Sequence, residues 1–128
     1  MLKETFDELY RLLKLDREKS HWSKNNTLKS RVEELSKEVD EVFAAIEKND
    51  LDNLGEELGD VLWDVLAVMI IGEEKGFFST QDIIRRAIAK MKRRKPFLLE
   101  DKKVSLEDEH KIWFAAKAQE KVDKEIRK

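Results

Sequence analysis

Glu34, Glu38 and Glu41 fall on one narrow stripe of a helical wheel, beside an apolar seam. Glu57, Asp60 and Asp64 make a second stripe of the same kind, which continues as Ala67, Val68 and Ile71 and therefore faces protein rather than water. Bringing carboxylates together out of water is costly, because each loses hydration and like charges repel. Raised pKa values, basic partners or a bound cation can offset that cost. Two helices that each present an i, i+3 acid pair, Glu38/Glu41 and Glu57/Asp60, make an all-oxygen cage, and such hard donors suit Mg²⁺ or Mn²⁺. A di-iron bundle would carry Glu-x-x-His pairs, whereas His21 and His110 lie outside both helices. The competing reading is a charged helix face laced with ion pairs. It stays open for the first stripe, where Arg31 and Lys37 are near, and is weaker for the second, which has few basic neighbours in sequence.

A second cluster is basic: Lys90, Lys92, Arg93, Arg94 and Lys95 end a helix. Cations there are favoured by the helix dipole alone. Lys90 and Arg94 are also four apart, hence on one face, and an arginine fork matches phosphate oxygens. An acid cage with a basic clamp is what a metal–triphosphate needs. Trp22, in a polar segment, and Trp113, on the last helix, could stack on a base or simply pack; Trp63 reads as core or interface.

The elements that must position these groups are helices. The 128 residues are 42% charged and 41% apolar, with one proline and four glycines, a composition that favours long helices around one modest core. The first helix runs from Leu2 to Lys19, followed by a polar break at Ser20–Asn26. The second starts near Thr27 as N-cap, and the third spans about Asn53 to Lys75 with a second half apolar all round, which must sit centrally. Gly76 reads as the C′ residue and Ser79-Thr80-Gln81-Asp82 as the cap of the fourth helix, which Pro96 ends. Ser105, with Asp108 three residues on, caps a last helix reaching the C-terminus. The short connections predict an all-α, antiparallel bundle of about five helices, one domain over residues 1–128.

Balanced charge (26 basic, 28 acidic, net −2) argues against a general nucleic-acid binder. With no cysteine there is no disulfide or thiolate chemistry. The longest apolar run, Val65–Ile71, is too short to cross a membrane, and the N-terminus is unlike a signal peptide, so a cytoplasmic location is expected.

The stretch from Ala45 through Glu57-Leu58-Gly59-Asp60 resembles the MazG family of all-α nucleoside triphosphate pyrophosphohydrolases. Glu38-Val39-Asp40-Glu41 is similar to the second and third acids of its E-E-x-x-E motif, and Glu57–Asp60 to its E-x-x-D. Lys90–Pro96 resembles its K-x-x-R-R-H-P, Trp22–Thr27 its P-W-D-x-x-Q-T, and Trp113 with Lys117 a later W-x-x-x-K. Lys37 replaces the first glutamate of the motif, and Lys95 with Phe97-Leu98 replaces H-P-H-V-F residues.

The resemblance implies metal ligation by Glu38, Glu41, Glu57 and Asp60; a cage carboxylate not fully spent on metal, Glu38 or Glu41, is then the candidate catalytic base. It implies substrate contacts from Lys90 and Arg94 to phosphates and from Trp113 to the nucleotide; Arg93 and Trp22 are further candidate substrate contacts. It also implies a Mg²⁺-dependent (Mn²⁺ possible) cleavage of (d)NTP to (d)NMP and pyrophosphate, for nucleotide-pool house-cleaning, by a homodimer or dimer of dimers. Related helical enzymes acting on dUTP, dCTP or phosphoribosyl-ATP share such a cage, and a non-catalytic helical interaction module is the alternative from another class.

Overall fold

The computed structural model describes residues 1–101 and 103–127. They form six α-helices and one 3₁₀ turn, with no strand among the described residues: α1 (Leu2–Lys19), α2 (His21–Lys24), α3 (Leu28–Glu47), α4 (Leu51–Glu74), α5 (Thr80–Arg94), the turn Pro96–Leu99 and α6 (Leu106–Arg127). The all-α expectation holds, with one more short helix than expected. Two compact units divide the chain, Met1–Thr80 and Gln81–Lys128.

In the first unit α4 is the shared partner, packed by α1 on one side and α3 on another. Leu13 of α1 is buried against Leu66, Ala67 and Ile70 of α4, with Phe6, Leu9, Tyr10, Trp63 and Met69 packed around them. Each fully buried side chain of this size contributes about 1.5–3 kcal/mol. The apolar second half of α4 is thus central, as its pattern requires, and Trp63 belongs to the core margin.

Helix ends follow from local hydrogen bonding. Thr27 caps α3 in a reciprocal box, its hydroxyl accepting from the Ser30 N–H at 3.1 Å while the Thr27 N–H donates to Ser30 Oγ at 2.8 Å. α4 begins earlier than expected, at Leu51, because the Asp50 carboxylate accepts from the Asn53 N–H at 3.2 Å and so caps the helix. Ser20 caps in the same way (3.2 Å from the Ser23 N–H), so part of the polar break is the short helix α2. Arg17 fastens that region: it donates to the Ser23 carbonyl, to the Asn26 carbonyl at 3.1 Å, and through a fork to Glu74 at 2.8 and 3.0 Å. Gly76, at φ +72°, supplies the left-handed residue after α4.

In the second unit the Ser105 hydroxyl accepts from the Asp108 N–H at 3.1 Å at the start of α6. α5 ends at Arg94, ahead of Pro96, and α6 is described as far as Arg127; the expected extension to Lys128 lies outside the described residues.

Candidate metal and phosphate site

The α3–α4 hairpin turns through Lys48–Asp50, where Asn49 takes φ +53°, a value asparagine tolerates better than most residues. In a tight antiparallel hairpin, residues equally distant from the turn lie roughly level. Glu38 is then level with Asp60, and Glu41 with Glu57. The outcome is a group of three acids, Glu38, Glu57 and Asp60, each offering a carboxylate oxygen within 4.8 Å of the others. Glu38 and Glu57 are half-buried and Asp60 is exposed, so the group opens to solvent. Glu41, one turn along α3, is exposed and lies outside this group.

Burial pushes the Glu38 carboxyl up to about 7, helped by a hydrogen bond shared with Glu57 and by the negative charges of Asp60, Glu57 and Asp64. Three carboxylates this close are stable with a proton or a cation between them. The donor set is oxygen only, the chemistry of a hard divalent ion.

Asp64, one turn above Asp60, is not a member of the group. It is buried and accepts from Arg31 Nη2 at 2.9 Å, a cross-hairpin pair spanning 33 residues of sequence. Burial raises the Asp64 carboxyl against the lowering charge and hydrogen bond of Arg31, with Glu34 and Asp60 adding to the rise. Its stripe therefore does have a basic partner, supplied by α3 rather than by its own helix. The Arg31 guanidinium also lies 4.9 Å from the ring centre of Trp22, which remains 58% exposed. Glu34 pairs with Lys37 at 3.2 Å, so at that position the ion-paired helix face is what forms.

The basic residues belong to the second unit. Lys90 and Arg93 are exposed on α5, and Arg94 is half-buried. Glu120 of α6 accepts from Arg94 Nη2 at 2.9 Å and from Arg93 Nε at 3.3 Å. The Arg94 guanidinium is 4.7 Å from the ring centre of Trp113, and Lys95 Nζ is 5.9 Å from the same centre. Glu120, a residue that sequence reasoning missed, thus joins two of the three expected phosphate ligands. As one acid among many on a charged helix, and 26 residues from Arg94, it carried no signal of its own.

Residues 26–99 match the MazG nucleotide pyrophosphohydrolase domain. The chain belongs to that family. All four expected cage acids and Lys90, Arg93 and Arg94 fall inside the matched stretch; Trp22 and Trp113 fall outside it. Among relatives of this MazG-family chain, the nucleoside triphosphate pyrophosphohydrolase/pyrophosphatase MazG of Thermotoga maritima is 36% identical over 118 residues, 91% of this chain and 45% of that protein. The nucleoside triphosphate pyrophosphohydrolase of Mycobacterium tuberculosis is 35% identical over 107 residues, 82% of this chain and 33% of that protein. The chain thus spans less than half the length of these relatives. A crystal structure of a mazG-related protein from Thermotoga maritima superposes with a TM-score of 0.84 at 32% identity, over 88% of this chain and 98% of that one.

Proposed function

We propose that this MazG-family chain is a Mg²⁺-dependent pyrophosphohydrolase that converts a nucleoside or deoxynucleoside triphosphate to its monophosphate and pyrophosphate. The observation that carries the reading is the meeting of Glu38, Glu57 and Asp60 from two helices, oxygens within 4.8 Å, in an open half-buried site. Carboxylates from both helices would hold one or two Mg²⁺ ions, with Mn²⁺ as a substitute, and Glu41, outside the three-acid group and one turn along α3, is the proposed fourth ligand. Such an ion, when bound, would neutralise phosphate oxygens and acidify a water.

The chain's own groups do the rest. Glu38, or Glu41 where Glu38 is committed to the ion, takes the proton of the water that attacks the α–β phosphoanhydride. Lys90, Arg93 and Arg94 neutralise charge on the departing pyrophosphate. Trp22, with much of its ring exposed, contacts the base. Residues 1–128 would act as one functional domain in the cytoplasm, as a homodimer or dimer of dimers, in nucleotide-pool house-cleaning. No described helix is long and apolar enough to cross a membrane.

The test is a panel of canonical and modified triphosphates, including dUTP and dCTP, with pyrophosphate detection and Mg²⁺ titration. Glu57→Gln or Asp60→Asn is expected to lower turnover by about 10²-fold or more, the scale of losing one such catalytic group, with helical circular dichroism retained. Mg²⁺ should also raise the melting temperature of the wild type, and much less that of Asp60→Asn. Undiminished turnover in both variants removes the cage from the mechanism. No turnover of any nucleotide, with no stabilisation by Mg²⁺ or Mn²⁺, leaves a helical interaction module.

A further inference from the structure

Arg94 is held from two directions by a single face of α6. Its Nε and Nη2 donate to Glu120 at 3.4 and 2.9 Å, and its guanidinium carbon lies 4.7 Å from the centre of the Trp113 ring. Trp113 and Glu120 are seven residues apart, two turns of helix, and so project from the same side. Glu120 also accepts from Arg93 Nε, and Lys95, paired with Glu109 at 3.2 Å, lies over the same ring as Arg94. α6 thus presents a carboxylate and a π face spaced to take the edge and the plane of one guanidinium.

This has two chemical consequences. An arginine at a helix end is otherwise a freely rotating side chain, and rotamer freedom must be surrendered when it binds an anion. Here that freedom is surrendered in advance. Five N–H bonds are available on a guanidinium, and the Glu120 contacts occupy Nε and Nη2, leaving the Nη1 end for a ligand. Beside it runs a groove of about 660 Å³ lined by six basic side chains, Arg94 among them, and by the carboxylates of Glu120 and Asp123. Moreover, the Trp113 ring already has an arginine and a lysine over it, 4.7 and 5.9 Å from its centre, so its π surface is engaged by cations before any base arrives.

We propose that Trp113 and Glu120 are positioning residues that fix the Arg94 fork for a polyphosphate, and that Trp113 acts on the nucleotide through Arg94 rather than by stacking on its base. The inference rests on the reading of Arg94 as a phosphate contact made above. It assigns Glu120 a role, and makes the aromatic requirement at position 113 independent of which base is bound.

Inorganic triphosphate, which has no base, separates the possibilities. Its binding in Mg²⁺ is measured by calorimetry for wild type, Arg94→Ala, Trp113→Leu, Trp113→Phe and Glu120→Gln, with helicity checked by circular dichroism. Trp113→Leu and Glu120→Gln should each weaken inorganic triphosphate about tenfold, and a nucleoside triphosphate by the same factor. Trp113→Phe, which keeps a π face, should recover most of the loss. Adding Trp113→Leu to Arg94→Ala should cost little more, because both remove one interaction. Weakening of the nucleotide alone by Trp113→Leu, with inorganic triphosphate unchanged, overturns the inference and restores base stacking. If Arg94→Ala itself leaves inorganic triphosphate binding unchanged, the phosphate-contact reading fails first and takes the inference with it.

Discussion

Arg31 is the most enclosed of the buried polar residues, at 2% exposure, and its Nε and Nη1 are buried without a hydrogen-bond partner among the described residues. A buried ion pair with leftover donors is a poor source of net stability, since desolvation consumes what the attraction provides. Removing one member is a different matter: Arg31→Met leaves Asp64 charged and unpaired in the core, at a cost of about 3 kcal/mol or more. The double variant Arg31→Met/Asp64→Leu should regain most of that loss in urea or thermal unfolding. A double variant as unstable as the single one would show that the pair organises the hairpin beyond its own charge. At this scale Glu38, Glu57 and Asp60 were legible as a candidate group, because i, i+3 spacing beside an apolar seam is a local pattern, but the same spacing also picked Glu41, which lies outside the group. The partners of Asp64 and Arg94 were not, because a salt bridge between residues 33 or 26 apart depends on the register of two helices, which no local window contains.

Among the elements, α1 was read from its pattern with its observed ends, Leu2–Lys19, whereas α2 was missed and α4 was started two residues late. Serine and aspartate are ambiguous in sequence: the same side chain that favours a turn also caps a helix. A carboxylate near the end of α4 shows what such local choices hold together. Glu73 accepts from the Tyr10 hydroxyl of α1 at 3.0 Å and from the backbone N–H of Thr80 at the start of α5, with Lys14 Nζ 3.8 Å away. Burial pushes its carboxyl up, but hydrogen bonds from Thr80 and Tyr10 and the Lys14 charge together hold it below the usual value. A carboxyl whose folded pKa is depressed binds its proton more readily when unfolded. It therefore adds stability above the unfolded value of 4.5, which is lost as pH falls through the lower folded one. The expected outcome is a wild-type melting temperature that falls as pH is lowered below about 4.5, and a Glu73→Gln curve that is lower at neutral pH and flatter in acid. Parallel curves for the two proteins would place the acid sensitivity elsewhere.

For the molecule as a whole, the telling feature is what the first unit leaves uncovered. Phe43 and Ile46 of α3 are 62% and 56% exposed, and Leu51, Leu58 and Leu62 of α4 are 70%, 52% and 45% exposed. They recur at helical spacing, as two stripes on the hairpin that also carries the cage. Single exposed leucines are ordinary, but contiguous stripes of this kind mark a surface that meets another. The chain's balanced charge gives copies of it little mutual repulsion. A self-complementary contact between copies is the simplest way to cover the stripes, and it fits the proposed homodimer or dimer of dimers. Because Leu58 and Leu62 are about half exposed within one chain, glutamate at both positions should leave the helices formed while placing charges where the copies meet. Sedimentation equilibrium should then show a wild type heavier than the 15.1 kDa chain at micromolar concentration, and a Leu58→Glu/Leu62→Glu variant at the mass of one chain with unchanged helicity. Since the stripes flank Glu57 and Asp60, the variant also reports on function. Loss of turnover with the helices intact would mean that the carboxylate cage depends on assembly for its shape, whereas full turnover by the single chain would make the hairpin sufficient by itself.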